Sequence, residues 1–466
     1  MASVKKYQVD MTEGPLLGKI IRFAMPLMLA NAMNLMFNAA DLIVVGRFAD
    51  SSAMAAVGAA PGFNNLMLNL FWGVASAVNV LVSRYTGAKD RKNVFSSVHT
   101  SIAVAIIGGI LMCILGLVVT RPMMRWMAVP AEIFDKACLY TWICCLGIPF
   151  MVLYSFGSAV LRAIGDTKRP LTFMMIAGIV NVLLNLLFVI VFKMDVAGVA
   201  IATKLANVLS AVLVLRALTV SREQYQLVWK QLHIKKDIVK ELFRIGIPAG
   251  VQGMMYSVSN MIIQSTINSF GKQAIAGSTA ALSIEGIVHV AFSSFGLAVV
   301  SFVGQNNGAN KPKRVIRSIL LCMACTCITA FVLGGLALLF KRQLLGIYNP
   351  DSTVIDWGCI RMNYQLPFYF LVASIEVLTG SLRGLGYSLG PTIISMFGAC
   401  AFRVLWIFLI FPLDPRMENV MISYPVSWIL VALGTGIMLF VICRRMLKKA
   451  ALEQENNIEN DSVTAE

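Results

Sequence analysis

Twelve apolar segments, each long enough to cross a bilayer, constrain this chain more than any other feature. A spanning helix needs roughly 20 such residues, because backbone N–H and C=O groups must pair within the helix once water is gone. The segments run at 16–45, 54–83, 93–119, 133–160, 170–192, 196–216, 242–268, 274–303, 315–340, 355–381, 390–411 and 419–443. Only 13% of residues are charged and the mean hydropathy is +0.77. Those values exclude a soluble enzyme, a disordered chain and a secreted disulfide scaffold. Pro26 and Pro248 fall inside the first and seventh segments, where a helix is expected to bend.

The net charge of +16 is distributed by position. Of 39 Lys and Arg, 27 lie in alternate connections, nine in the opposite ones, and Lys204, Arg361 and Arg403 within segments. This asymmetry is the positive-inside bias of a multi-pass cell-membrane protein, not a nucleic-acid footprint, and places both termini in the cytoplasm. Most of the ten cysteines sit in apolar stretches, with no spacing for a metal or disulfide framework. The N-terminus carries no cleavable signal pattern. The tail after Lys449 is polar and acidic, and is expected to be disordered.

The chain is written twice. Arg84-Tyr-Thr-Gly-Ala-Lys89 precedes Gln305-Asn-Asn-Gly-Ala-Asn310 by 221 residues, and Leu161-Arg-Ala-Ile-Gly165 precedes Leu382-Arg-Gly-Leu-Gly386 by the same offset. Ala53-Met-Ala-Ala56 matches Ala274-Ile-Ala-Gly277 at 221, and Arg22-Phe-Ala-Met-Pro26 matches Arg244-Ile-Gly-Ile-Pro248 at 222. The expected architecture is therefore all-α and polytopic: twelve transmembrane helices in two pseudo-symmetric six-helix bundles. The lobes are 1–220 and 241–449, joined by a cytoplasmic linker at 221–240 and followed by the polar tail 450–466. An even number of spans per repeat gives both halves the same polarity, as in many secondary transporters.

Function is sought where charge is costly. An ionised side chain at the centre of a helix in lipid costs about 2.5–3.5 kcal/mol on insertion scales. Asp41, Glu285 and Glu376 are the acids more than two residues from the end of a span. Asp41, Asn185 and Thr203 fall about 10 Å below the same membrane surface at 1.5 Å per helical residue, and Asn181 shares a face with Asn185. This oxygen-rich set either holds Na⁺ or forms a hydrogen-bonded site for proton exchange at Asp41; the bland alternative for the polar three is interhelical hydrogen bonding. Glu285 is either a substrate contact or a structural partner of an intramembrane cation, and Glu376 is placed to pair with Arg403. His289 lies one turn from Glu285. Met33, Asn34 and Phe37 precede Asp41, and Tyr256 follows the second proline with Met254 and Met255. Flexible Met and aromatic faces suit varied organic cations. The expected substrate contacts are thus Met33, Asn34, Phe37, Tyr256, Glu285 and His289.

Val45-Gly-Arg-Phe48 with Ala55-Ala-Val-Gly58, Leu161-Arg-Ala-Ile-Gly-Asp166, and Phe302-Val-Gly-Gln-Asn-Asn-Gly-Ala309 resemble signatures of the MATE (multidrug and toxic compound extrusion) transporters. The resemblance runs through both halves. It implies a secondary active antiporter exporting organic cations or amphipathic drugs in exchange for H⁺ or Na⁺ by alternating access. In the bacterial DinF-type branch the ion site resembles the set Asp41, Asn181, Asn185 and Thr203, with Asn185 standing where a carboxylate is often found. The second-half Glu of the NorM-type branch maps to Tyr256. No nucleotide-binding or hydrolase motif is present, so neither an enzyme nor a cofactor is expected beyond the coupling ion. The partners implied are small organic molecules and membrane lipid, with the protein a monomer. The runner-up is a flippase for a lipid-linked oligosaccharide or related precursor, disfavoured by the few cations within spans; a receptor or scaffold fits the repeat less well.

Overall fold

A computed structural model describes residues 8–48, 61–126 and 131–464, and nearly all of them are helical. The repeat copy at 53–56 and the motif at 55–58 lie outside the described residues. Twelve long helices account for the twelve segments. They are α1 (Leu16–Phe48), α2 (Pro61–Gly87), α3 (Arg91–Trp126), α4 (Ala131–Ala163), α5 (Lys168–Val191) and α6 (Asp195–Val220). After the connection come α7 (Lys236–Asn268), α8 (Lys272–Gly308), α9 (Pro312–Leu339), α10 (Ser352–Gly384), α11 (Leu389–Leu413) and α12 (Met417–Thr464). Among the described residues, ten of these are long and apolar enough to cross a membrane. An additional eight-residue helix, Lys341–Tyr348, precedes α10.

The internal repeat is visible in the backbone. Lys89 and Asn310, 221 residues apart, both take the left-handed conformation at φ 56°. Gly165 and Gly386, at the same offset, take φ 93° and 91°. Their flanking hydrogen bonds repeat as well: Asp90 N–H donates to Tyr85 O as Lys311 N–H does to Asn306 O, both at 3.0 Å. Asp166 N–H to Leu161 O is matched by Tyr387 N–H to Leu382 O, at 2.9 and 2.8 Å. One turn chemistry has therefore been used twice, and Asn310 and the glycines suit a conformation that most L residues avoid.

The described chain forms two compact units. The first is Met1–Asp10, Arg22–Thr86 and Asp90–Met254; the second is Met11–Ile21, Gly87–Lys89 and Met255–Glu466. Within each, lipid supplies little drive for helices to associate, so small residues let backbones approach closely. In the second unit a Cβ at Gly380 would lie 2.8 Å from Gly296 O. In the first, a Cβ at Gly109 would lie 2.8 Å from Pro149 Cα. The second unit is also held by rings in sequence: His289–Phe292, Phe292–Tyr369, Tyr369–Trp428 and Trp428–Tyr424, with centroids 5.0, 5.9, 5.9 and 5.8 Å apart.

One expectation changes. The tail is not irregular: α12 continues through it to Thr464. Its Ala, Leu, Glu and Gln residues favour helix, and Lys449 reaches Glu453 one turn on at 3.6 Å. The polar linker packs back on the first unit. Tyr225 and Leu227 are buried in the first unit, and Val228 N–H donates to His99 Nε2 at 3.0 Å.

Candidate functional site

The first unit gathers a carboxylate, two amides and a hydroxyl from three helices. Asn185 Nδ2 on α5 donates to Asp41 Oδ1 on α1. Thr203 Oγ1 on α6 lies 3.4 Å from Asp41 Oδ2 and donates to Val199 O at 2.9 Å. Asn181 Nδ2 donates to Thr203 Oγ1 at 3.2 Å, and Asn185 Nδ2 lies 3.4 Å from Asn181 Oδ1. The four residues expected to converge are thus one connected network. Both asparagines are buried; Asp41 and Thr203 are half-buried.

One atom in this network is left over. Asn185 Oδ1 is buried and has no hydrogen-bond partner among the described residues. While Asp41 is ionised the amide does not turn to relieve this, because the reverse orientation would set a carbonyl oxygen against the carboxylate. Immediately after Asn185 and Leu186, α5 widens into a π-helical turn at Leu187–Val191. Such turns shift side-chain register and recur at functional sites. Neither the orphan oxygen nor the π turn is visible in hydropathy periodicity. Lys204, next to Thr203, makes no ion pair with Asp41 within 4 Å among the described residues but is close enough for its charge to act on that carboxylate; its stem runs along α4, where a Cβ at Gly147 would overlap it.

Phe37, one turn before Asp41, packs on Gly178 of α5, where a Cβ would overlap the ring. Met33 is half-buried, and Asn34 is exposed. These three lie on α1 in the first unit, as Asp41 does.

The remaining expected contacts lie in the second unit and take other partners. Glu285 is buried and bound in bidentate fashion by Arg361. Nε lies 3.1 Å from each carboxylate oxygen, and Nη2 lies 2.9 Å from Oε2. Arg361 Nη1 also donates to Ser278 Oγ at 3.2 Å. Of the two roles open to Glu285, the geometry is that of a structural partner. The expected Glu376–Arg403 pair is not formed. Glu376 Oε1 lies 3.7 Å from His289 Nε2, and both side chains are half-exposed. Arg403 Nε instead donates to Ser427 Oγ at 2.7 Å, with its guanidinium 4.3 Å from the centroid of Tyr424 and 5.9 Å from that of Trp428. A π-helical turn at Met396–Ala401 precedes Arg403 and carries it onto those rings. Tyr256 packs against the second unit's core.

Comparison with known proteins agrees with the duplicated fold. The MatE family profile matches twice, at residues 26–187 and 248–409. The probable multidrug resistance protein YoeA of Bacillus subtilis is 25% identical over 80% of this chain and 82% of its own length. The multidrug export protein MepA of Staphylococcus aureus is 23% identical over 85% and 88%. A solved MATE structure in the bent conformation superposes with a TM-score of 0.88 at 19% identity, covering 95% of this chain and 98% of that one. An outward-facing multidrug resistance MATE family transporter of the MOP superfamily gives 0.86 at 19% identity, covering 96% and 99%. These are transporters and not enzymes. With both halves matched, this multi-pass membrane protein belongs to the MatE family.

Proposed function

We propose that the chain is a secondary active antiporter that exports organic cations or amphipathic compounds in exchange for H⁺ or Na⁺, with Asp41 as the coupling residue. The observation that carries this reading is a carboxylate held by neutral donors beside a buried, unpartnered carbonyl oxygen, Asn185 Oδ1. A proton neutralises Asp41 and turns one of its oxygens into a donor. A Na⁺ ion would be met by oxygen from Asp41, Asn181, Asn185 and Thr203, the ligand type hard cations take. In either case the negative charge of the half-buried Asp41 is neutralised when the ion arrives. The relatives named as multidrug resistance and export proteins support the substrate class. They lend no support to a flippase.

Coupling requires that ion and substrate favour different states of one element. We assign that element to α1, which carries Pro26 within it and Asp41 near its end. Met33, Asn34 and Phe37 lie on the same helix, so a change at Asp41 alters the surface they present. The basic bias of alternate connections supports both termini lying in the cytoplasm, with lobes 1–220 and 241–449 joined there by 221–240. Placement in the DinF-type branch rests on the Asp41 network alone. The test is uptake of a cationic dye into inverted proteoliposomes with pH and Na⁺ gradients imposed separately. Uptake driven by one of the two gradients supports the antiporter. Uptake requiring neither, or transfer of a lipid-linked sugar instead, rejects it.

A further inference from the structure

The two repeats differ at one matched place, and the difference leaves a cleft. In the first unit α6 stops at Val220 and the chain turns at Ser221. The following segment fills the space beside the Gly165 turn. Tyr225 is buried there, its hydroxyl accepting from Arg169 Nη2 and Gln8 Nε2, each at 3.1 Å. Arg169 is in turn paired with the buried Asp166. In the second unit the matching helix does not stop. α12 passes through to Thr464, and among the described residues none besides its chain neighbours lies within 4 Å of where a Cβ at Gly386 would sit. A cleft of about 720 Å³ remains between the α8–α9 turn, the α10–α11 turn and α12.

The residues at matched positions have also lost their negative charge. Asp90 of the first unit corresponds to Lys311, and Asp166 to Tyr387, at the offset of 221. Lys311, Arg445 and Lys449 line the cleft, against the single acid Glu453. Below them the wall is apolar, with Leu385, Met438 and Ile442. Arg445 and Lys449 are exposed and lie one turn apart, on the face of α12 that also carries Met438 and Ile442. Where α12 leaves its apolar stretch, cations over an apolar wall match a phosphodiester headgroup over its acyl chains.

We infer that this cleft in the second unit binds an anionic phospholipid, its headgroup held by Lys311, Arg445 and Lys449. The lipid takes the place that Tyr225 and the linker occupy in the first unit.

The full-length protein in neutral detergent is titrated with phosphatidylglycerol, and bound lipid is counted by native mass spectrometry. Phosphatidylcholine with the same chains and inorganic phosphate are run in parallel. Each basic residue near an anionic headgroup contributes about 1 kcal/mol, so Arg445→Gln/Lys449→Gln should weaken phosphatidylglycerol binding roughly 30-fold. Arg444→Gln/Lys448→Gln removes the same charge from α12 outside the cleft and should change it by less than about 2-fold. Lys311→Gln, on the facing turn, gives an independent reading with a loss of roughly 5-fold. Melting of the lipid-free α12 variants, whose changes are on exposed side chains, should match the parent and so isolate the binding effect; Lys311→Gln also gives up the 3.0 Å bond from Nζ to Thr12 O, so its binding loss is read beside its own melting point. Equal losses in the two α12 double variants would overturn the proposal. So would equal binding of the two phospholipids, or displacement of phosphatidylglycerol by millimolar phosphate.

Discussion

Asp41 and Glu285 are both carboxylates inside apolar helices, yet their neighbours differ in kind. Glu285 is met by a guanidinium through two parallel contacts and is neutralised in place. Asp41 is met by an amide and a hydroxyl, which orient it without cancelling its charge. A buried ion pair of good geometry is fixed, because opening it leaves two uncompensated charges in a medium of low dielectric. A carboxylate held by neutral donors keeps a charge that an arriving ion can remove. The comparison separates a strut from the proposed exchange site, although both look alike in a list of intramembrane acids.

The largest expected effect lies on the strut. Glu285→Gln should destabilise the protein by about 3–5 kcal/mol, since it leaves Arg361 buried without its counter-charge. Replacing both, as Glu285→Gln/Arg361→Gln, should recover much of that loss. Thermal unfolding in detergent checks this, and an unchanged melting point in the single variant would erase the distinction between the two acids.

Next is the helix contact beside the proposed exchange site. Gly178→Ala drives a methyl into the Phe37 ring and should cost about 1–3 kcal/mol in strain. If the α1–α5 contact positions Asp41, this variant should also lower gradient-driven uptake per folded molecule. A variant that melts early but transports normally would detach Phe37 from the coupling network.

A smaller effect is expected within the network. Asn181→Ala removes the donor to Thr203 and should cost only about 0.6 kcal/mol, the usual worth of an interhelical hydrogen bond in a membrane. Its effect on the ion dependence of substrate binding should be much larger than that. Dye affinity measured across pH and Na⁺ concentration distinguishes a ligand from a simple interhelical bond.

The smallest effect sits outside the spans and serves as a control. Asp414 accepts from Arg416 through both carboxylate oxygens, at 2.6 Å each, and this holds its carboxyl below the usual range. A depressed carboxyl contributes stability above its ordinary pKa and loses it as pH falls through the depressed value. Arg416→Gln should return the Asp414 titration towards the ordinary range, followed by NMR of labelled aspartate. Transport and its pH dependence should not change, which separates acid titration at the surface from titration at Asp41.

Much of the fold was legible because lipid restricts the choices. Apolar length marked the spans, and the 221-residue offset of Lys89 with Asn310 and Gly165 with Gly386 marked the repeat. The Asp41 network was legible from depth, since residues at one depth on adjacent helices are within reach of one another. What depth does not give is rotation about the helix axis. Glu376 and Arg403 were near in the sequence of spans, but Glu376 turns to His289 and Arg403 to Ser427 and Tyr424. The π turns after Asn185 and before Arg403 alter that rotation locally, and no hydropathy period records them. The helical tail was missed because acidity was read as disorder, when its Glu, Gln and Ala residues also favour helix.

The most direct measurement is made on Asp41→Asn in purified form. An amide is neutral at every pH, so this variant fixes the ion-bound charge state of the network while keeping a side chain of the same shape. We expect normal insertion and folding, dye binding that no longer changes with pH or Na⁺, and no uphill dye transport in proteoliposomes under either gradient. Uphill transport by Asp41→Asn under an imposed pH or Na⁺ gradient would contradict the assignment of coupling to this carboxylate.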